Sequence, residues 1–172
     1  MQKKLFYYTI AGILFTSILG TLAHFTYEWS NENFVVGLFT PVSESTWEHM
    51  KLLFFPMLLY GVFMCTRLAG EYPCLTYACP LGILIGTFAI PTLFYTYSGI
   101  LGTTYTPIDI LIFYISVVLA FSIVYIGTLR CQQKSSWEPK NSFFFWLLII
   151  LLAISFMIFT IYPPSLGIFQ VG

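Results

Sequence analysis

S-F-F-F-W-L-L-I-I-L-L-A-I-S-F-M-I-F-T-I-Y, residues 142–162, holds no charged side chain from end to end, and Pro163-Pro164 follows it directly. An α-helix needs about 20 predominantly apolar residues to cross the hydrocarbon of a bilayer. This stretch has that length, and consecutive prolines cannot continue a helix. Working back along the chain, further stretches of spanning length lie at about 5–27, 46–69, 80–98 and 107–129. Pro56 and Pro91 fall inside two of them. There they should bend the helix, with neighbouring helices satisfying the freed carbonyls.

Composition agrees. Of the 172 residues 58% are hydrophobic, 20% aromatic and 8% charged, against about 25% charged in a soluble domain. So little polar surface cannot cover a water-facing globule, and lipid is the better solvent. The net charge is zero, which gives no reason to expect a nucleic-acid partner. The expected fold is an all-α integral membrane bundle of about five transmembrane helices, a single embedded domain over 1–172. Its expected partner is the bilayer, with a second copy or a membrane partner protein left open.

Basic residues set the expected orientation. Lys3, Lys4, Arg67, Arg130, Lys134 and Lys140 all fall on one side of a five-span chain, and only Lys51 falls on the other. The N-terminus is therefore expected in the cytoplasm and the C-terminus outside, in a multi-pass protein of the cell membrane. Lys3-Lys4, an apolar run and Thr21-Leu22-Ala23 also have the layout of a signal peptide, but the run is long for one, and the first span is read as retained. Cys65, Cys74, Cys79 and Cys131 then lie at or near the cytoplasmic leaflet, where thiols stay reduced. They are read as small apolar packing residues.

Polar chemistry gathers in one place. Both histidines, His24 and His49, lie in or beside 23–51, as do Glu28, Glu32, Glu44, Glu48 and Lys51. An ionisable group next to hydrocarbon is costly and marks a candidate site. His24 and Glu28 are four apart and share a face of the first span. Glu44, Glu48 and Lys51 share a face if the second helix begins before Glu44, and His49 then points roughly 100° away unless the helix starts late or is distorted. The ends of consecutive antiparallel spans are neighbours, so the two sets should meet.

The candidate metal ligands are His24, Glu28, Glu44 and Glu48, a mixed imidazole–carboxylate set that suits zinc, manganese or iron. The candidate acid–base residues are Glu48, His49 and Lys51. The spacing matches no H-E-x-x-H helix. A structural reading competes: Ser45-Thr46-Trp47-Glu48 is a capping box, with Ser45 as cap and Glu48 returning the bond. Thr106-Pro107-Ile108-Asp109 is a second helix start, with Pro107 at its first position. The connection at 30–40 contains the apolar F-V-V-G-L-F, too short to span and placed to lie in the interface or fold over the polar cluster.

The run P-V-S-E-S-T-W-E-H-M-K-L-L-F-F-P at 41–56, with His24-Phe25, Tyr27-Glu28-Trp29 and the closing Tyr162-Pro163-Pro164, Leu166-Gly167-Ile168-Phe169, resembles a family of small uncharacterised bacterial polytopic membrane proteins. Its hallmark is P-V-[NS]-E-S-x-W-E-H-x-K-L. The resemblance covers essentially the full length and implies the membrane class, with no function attached. The expected function is a site between the first two spans, open to the outside, that binds a divalent metal ion or a polar headgroup, as in a membrane hydrolase or transferase. An ion-coupled carrier and an accessory membrane subunit are the alternatives.

Overall fold

The computed structural model describes residues 2–133 and 142–170. Its helices are α1 (Gln2–Trp29), the short α2 (Phe34–Gly37), α3 (Thr46–Leu68), α4 (Leu75–Leu101), α5 (Thr106–Gln133) and α6 (Ser142–Ile161), followed by a 3-10 turn at Gly167–Phe169. Five of these are long and apolar enough to cross a membrane, and no strand occurs among the described residues. Lys134 and Lys140 lie outside the described residues.

The long helices alternate in direction. α1 packs against α3 and α5, α4 packs against the same two, and α6 lies outside against α4 and α3. Lys3, Lys4, Arg67 and Arg130 thereby collect at one end of the bundle, and His24, Glu44 and His49 stand at the other. At the basic end Lys4 pairs with Glu71, while Gln132 Nε2 donates to the Glu71 carbonyl at 3.0 Å.

α4 begins at Leu75, before the expected start at Pro80, and so contains both Pro80 and Pro91. Pro80 lacks the amide that would bond the Thr76 carbonyl. Ser142 Oγ (2.6 Å) and Trp146 Nε1 (2.9 Å) from α6 donate to that carbonyl instead, and the helix runs through. Pro56 in α3 likewise frees the Leu52 carbonyl. There α1 comes very close: a Cβ built on Gly20 would stand 2.6 Å from the Phe113 ring and nearer still to the Leu52 carbonyl oxygen. Only a glycine admits that approach, which lets its Cα–H face the freed oxygen.

Cys74 and Cys131 form a disulfide with Cα atoms 6.1 Å apart, which corrects the reading of all the cysteines as reduced packing residues. The antiparallel α4–α5 pair brings the start of one helix level with the end of the other, so two cysteines that are far apart in sequence meet at the basic end. Cys65 and Cys79 are free. Asp109, in the first turn of α5, accepts a hydrogen bond from the Tyr97 hydroxyl of α4, so it joins two helices as well as complementing a helix start.

Two outcomes are expected. Gly20→Val should lower the unfolding midpoint in detergent micelles, since overpacking of this kind costs about 1–3 kcal/mol. Cys74→Ala should do so only without reductant, and adding a thiol reductant to the parent protein should erase the difference.

Candidate functional site: a histidine–glutamate trio beside a buried ion pair

α1 ends with two left-handed residues, Asn31 (φ 56°) and Glu32 (φ 58°), which turn the chain toward α2. Asn33 caps α2 by accepting from Val35 N (2.9 Å) and Val36 N (3.4 Å). The chain then reaches Ser45, whose hydroxyl accepts from Glu48 N at 3.4 Å and starts α3 at Thr46. Glu44 therefore precedes the helix, and the four-residue spacing from Glu44 to Glu48 does not put them on one face. Side chains expected together are divided into two groups.

The first group is interior. Lys51 has no exposed surface, and the Glu48 side chain is 4% exposed. The three Nζ protons of Lys51 are shared among Glu48 Oε2 (2.7 Å), Thr160 Oγ1 of α6 (2.5 Å), the Gly37 carbonyl (3.0 Å) and the Thr40 carbonyl (3.4 Å). Val42 N donates to Glu48 Oε2 at 3.0 Å. The capping box is thus half formed: Glu48 returns its bond to Val42, not to Ser45, because the connection folds back over the pair. Lys51 and Glu48 latch residues 37–42 to α3 and α6.

Beside them Trp47 packs on Phe156 (4.7 Å between ring centroids), Phe159 (5.5 Å) and Phe169 (4.9 Å). This aromatic seat holds α6 and the closing 3-10 turn against the start of α3. Breaking a buried ion pair by removing one partner typically costs about 3–5 kcal/mol. Glu48→Gln and Lys51→Met should each destabilise the folded protein by that order in chemical denaturation. The double variant should lose clearly less than the two losses combined.

The second group faces out. His24, Glu44 and His49 each offer one ligand atom, and these atoms lie within 4.8 Å of one another. His49 Nε2 is 3.3 Å from Glu44 Oε2, and His24 Nε2 is 3.9 Å from Glu44 Oε1. Ligand atoms around a tetrahedral ion with bonds of about 2.1 Å sit about 3.4 Å apart, so small rotations of an exposed carboxylate would complete the spacing. The two imidazoles are tilted with centroids 5.3 Å apart.

His49 Nδ1 lies 3.0 Å from the Ser45 carbonyl. That oxygen can only accept, so Nδ1 carries a proton and Nε2 is the nitrogen turned toward Glu44. His24 Nδ1 is buried with no hydrogen-bond partner among the described residues.

Of the expected metal ligands, His24 and Glu44 come together. Glu28 stands exposed near the end of α1, outside the trio, and Glu48 is held by Lys51. His49, expected to point away unless the helix starts late, completes the trio because α3 starts at Thr46. The signal in the sequence is the competing capping reading, since Ser45 as cap sets where the helix begins.

Five helices long and apolar enough to cross a membrane, with the ionisable residues at their ends, give the fold of a helical membrane protein. The chain matches DUF6512, a family of unknown function, over residues 1–172 and belongs to it. No curated protein and no solved structure matches it.

Proposed function

We propose that this protein binds a divalent transition-metal ion, zinc foremost, at the outer surface of the cell membrane, through His24, Glu44 and His49. One observation carries the reading. The Ser45 carbonyl fixes the proton of His49 on Nδ1, which leaves Nε2 to face a carboxylate oxygen at 3.3 Å. With Nδ1 so engaged, a metal ion between Nε2 and the carboxylate would take up the lone pairs of both, in place of a second ring proton.

Two imidazoles and one carboxylate are a donor set that zinc favours, and three protein ligands leave a position open for water or a substrate oxygen. An ion held this way polarises a carbonyl or phosphoryl group, or activates water. The half-exposed setting beside the bilayer suits lipid headgroups, and hydrolysis or group transfer on them is the reaction class that follows. The charge pattern of the ends supports the outward orientation. Glu48 and Lys51 serve the site by holding the connection that carries Glu44.

The test is metal content by elemental mass spectrometry of the detergent-purified protein after growth with zinc. About one ion per chain is expected in the parent and in Glu28→Gln, and none in His24→Ala or His49→Ala. Binding should weaken on acidification, because each imidazole must be neutral to ligate. A parent protein without metal after supplementation would overturn the proposal, leaving a protonated His49 paired with Glu44.

A further inference from the structure

Hydroxyls inside helices ordinarily donate to the carbonyl four residues back, and most of them here do so. Thr9 bonds Leu5, Thr26 bonds Leu22, Thr92 bonds Phe88, Ser122 bonds Val118, Thr128 bonds Val124 and Ser155 bonds Leu151. Three do not. Thr16, Thr87 and Ser116 are each 0% exposed, and their hydroxyl oxygens have no hydrogen-bond partner among the described residues. A buried hydroxyl with no partner is costly, so three in one bundle call for a cause.

They occupy one level of the bundle. In the antiparallel α1–α5 pair Gly12 lies against Phe121 and Gly20 against Phe113. Thr16, midway between those glycines, is therefore level with Val117, next to Ser116. In the α4–α5 pair a Cβ on Gly86 would stand 2.5 Å from Ala120 Cβ and 3.2 Å from the Ser116 carbonyl oxygen, which sets Thr87 level with Ser116 too. In the α1–α3 pair Gly12 lies against Tyr60 and Gly20 against Leu52, which sets Thr16 level with Pro56. The shared level is close to the midpoint of α1, α4 and α5, hence mid-membrane.

A fourth polar group belongs to the same place. Pro91 has no amide to give the carbonyl of Thr87, four residues before it. Thr87 and Pro91 are both buried. Thr87 thus brings an unpartnered hydroxyl and an interrupted helix carbonyl to the bundle interior.

The ligand that fits is small and neutral. The acids of the described residues all stand at helix ends or in connections, so a cation at this depth would have no counter-charge, at high cost. A hydroxyl both donates and accepts, and a freed carbonyl accepts. Water needs two to four such partners, and ordered water is a recognised substitute where proline interrupts a membrane helix. We infer that the bundle binds structural water at mid-membrane depth, held by the hydroxyls of Thr16, Thr87 and Ser116 and by the Thr87 carbonyl that Pro91 frees. The water replaces the backbone bond that α4 loses and links α4 and α5 to α1 at this level. This site is independent of the metal proposal.

Near-isosteric substitution gives opposite signs for a wet and a dry site. Thr16→Val, Thr87→Val and Ser116→Ala are to be compared with the parent in micelles by thermal unfolding. If water is bound, each removes one of its anchors, lowers the midpoint by a few degrees, and the triple variant loses less than the three separate shifts together. If the hydroxyls are dry, each change removes an unpaired polar group and the midpoint holds or rises. A midpoint held or raised in any two of the three overturns the inference.

Water-edited solid-state NMR of the parent in deuterated lipid gives the direct readout, and it decides the matter if a variant does not fold. Magnetisation transfer from water to the Thr16 and Thr87 side chains is expected, and its absence at both overturns the site.

Discussion

An ammonium cut off from water must find its counter-charge and its hydrogen-bond acceptors inside the protein. Lys51 has no exposed surface and finds Glu48 at 2.7 Å, the carbonyls of Gly37 and Thr40, and the Thr160 hydroxyl. Those partners come from α3, the connection before it and α6, so one charge fixes three separate pieces of chain. Glu48 uses the same carboxylate oxygen to take the Val42 amide. The connection is thereby held, and with it Glu44, which is set against His24 and His49. The outward-facing trio owes its geometry to a pair that faces inward.

The same demand for internal partners governs the interior. A proline in a membrane helix frees a carbonyl that water cannot reach. Pro80 frees Thr76, and α6 supplies Ser142 and Trp146 as donors. Pro56 frees Leu52, and α1 brings Gly20 against it. Pro91 frees Thr87, at the level where the Thr16 and Ser116 hydroxyls also have no partner among the described residues. The contacts of α6 with α4 and of α1 with α3 include two of these repairs, so the prolines bear on how the helices meet.

Part of the site was legible before the structure. The coincidence of both histidines, most of the acids and Lys51 in one region marked where polar chemistry would lie, because charge near hydrocarbon is rare without a purpose. The division of that region was legible only through the Ser45 cap. Helical spacing grouped Glu44 with Glu48 and sent His49 away, on the premise of a helix beginning before Glu44. Ser45 caps α3 at Thr46, which moves Glu44 onto the connection, turns Glu48 inward to Lys51 and brings His49 to His24. The disulfide was missed for a similar reason, since Cys74 and Cys131 meet only through the register of α4 on α5.

The amino-acid sequence by itself determined the solvent and the architecture. Apolar runs of spanning length with almost no charge leave lipid as the favourable medium, and helices are the elements that satisfy their own backbone there. It also determined which end of the bundle carries the basic residues, since that depends only on counting spans. The tertiary structure decided which side chains face one another. Depth, helix register and the fold of the 30–45 connection set whether a carboxylate meets an ammonium or an imidazole. Those depend on contacts between residues far apart in the chain, which local spacing does not encode.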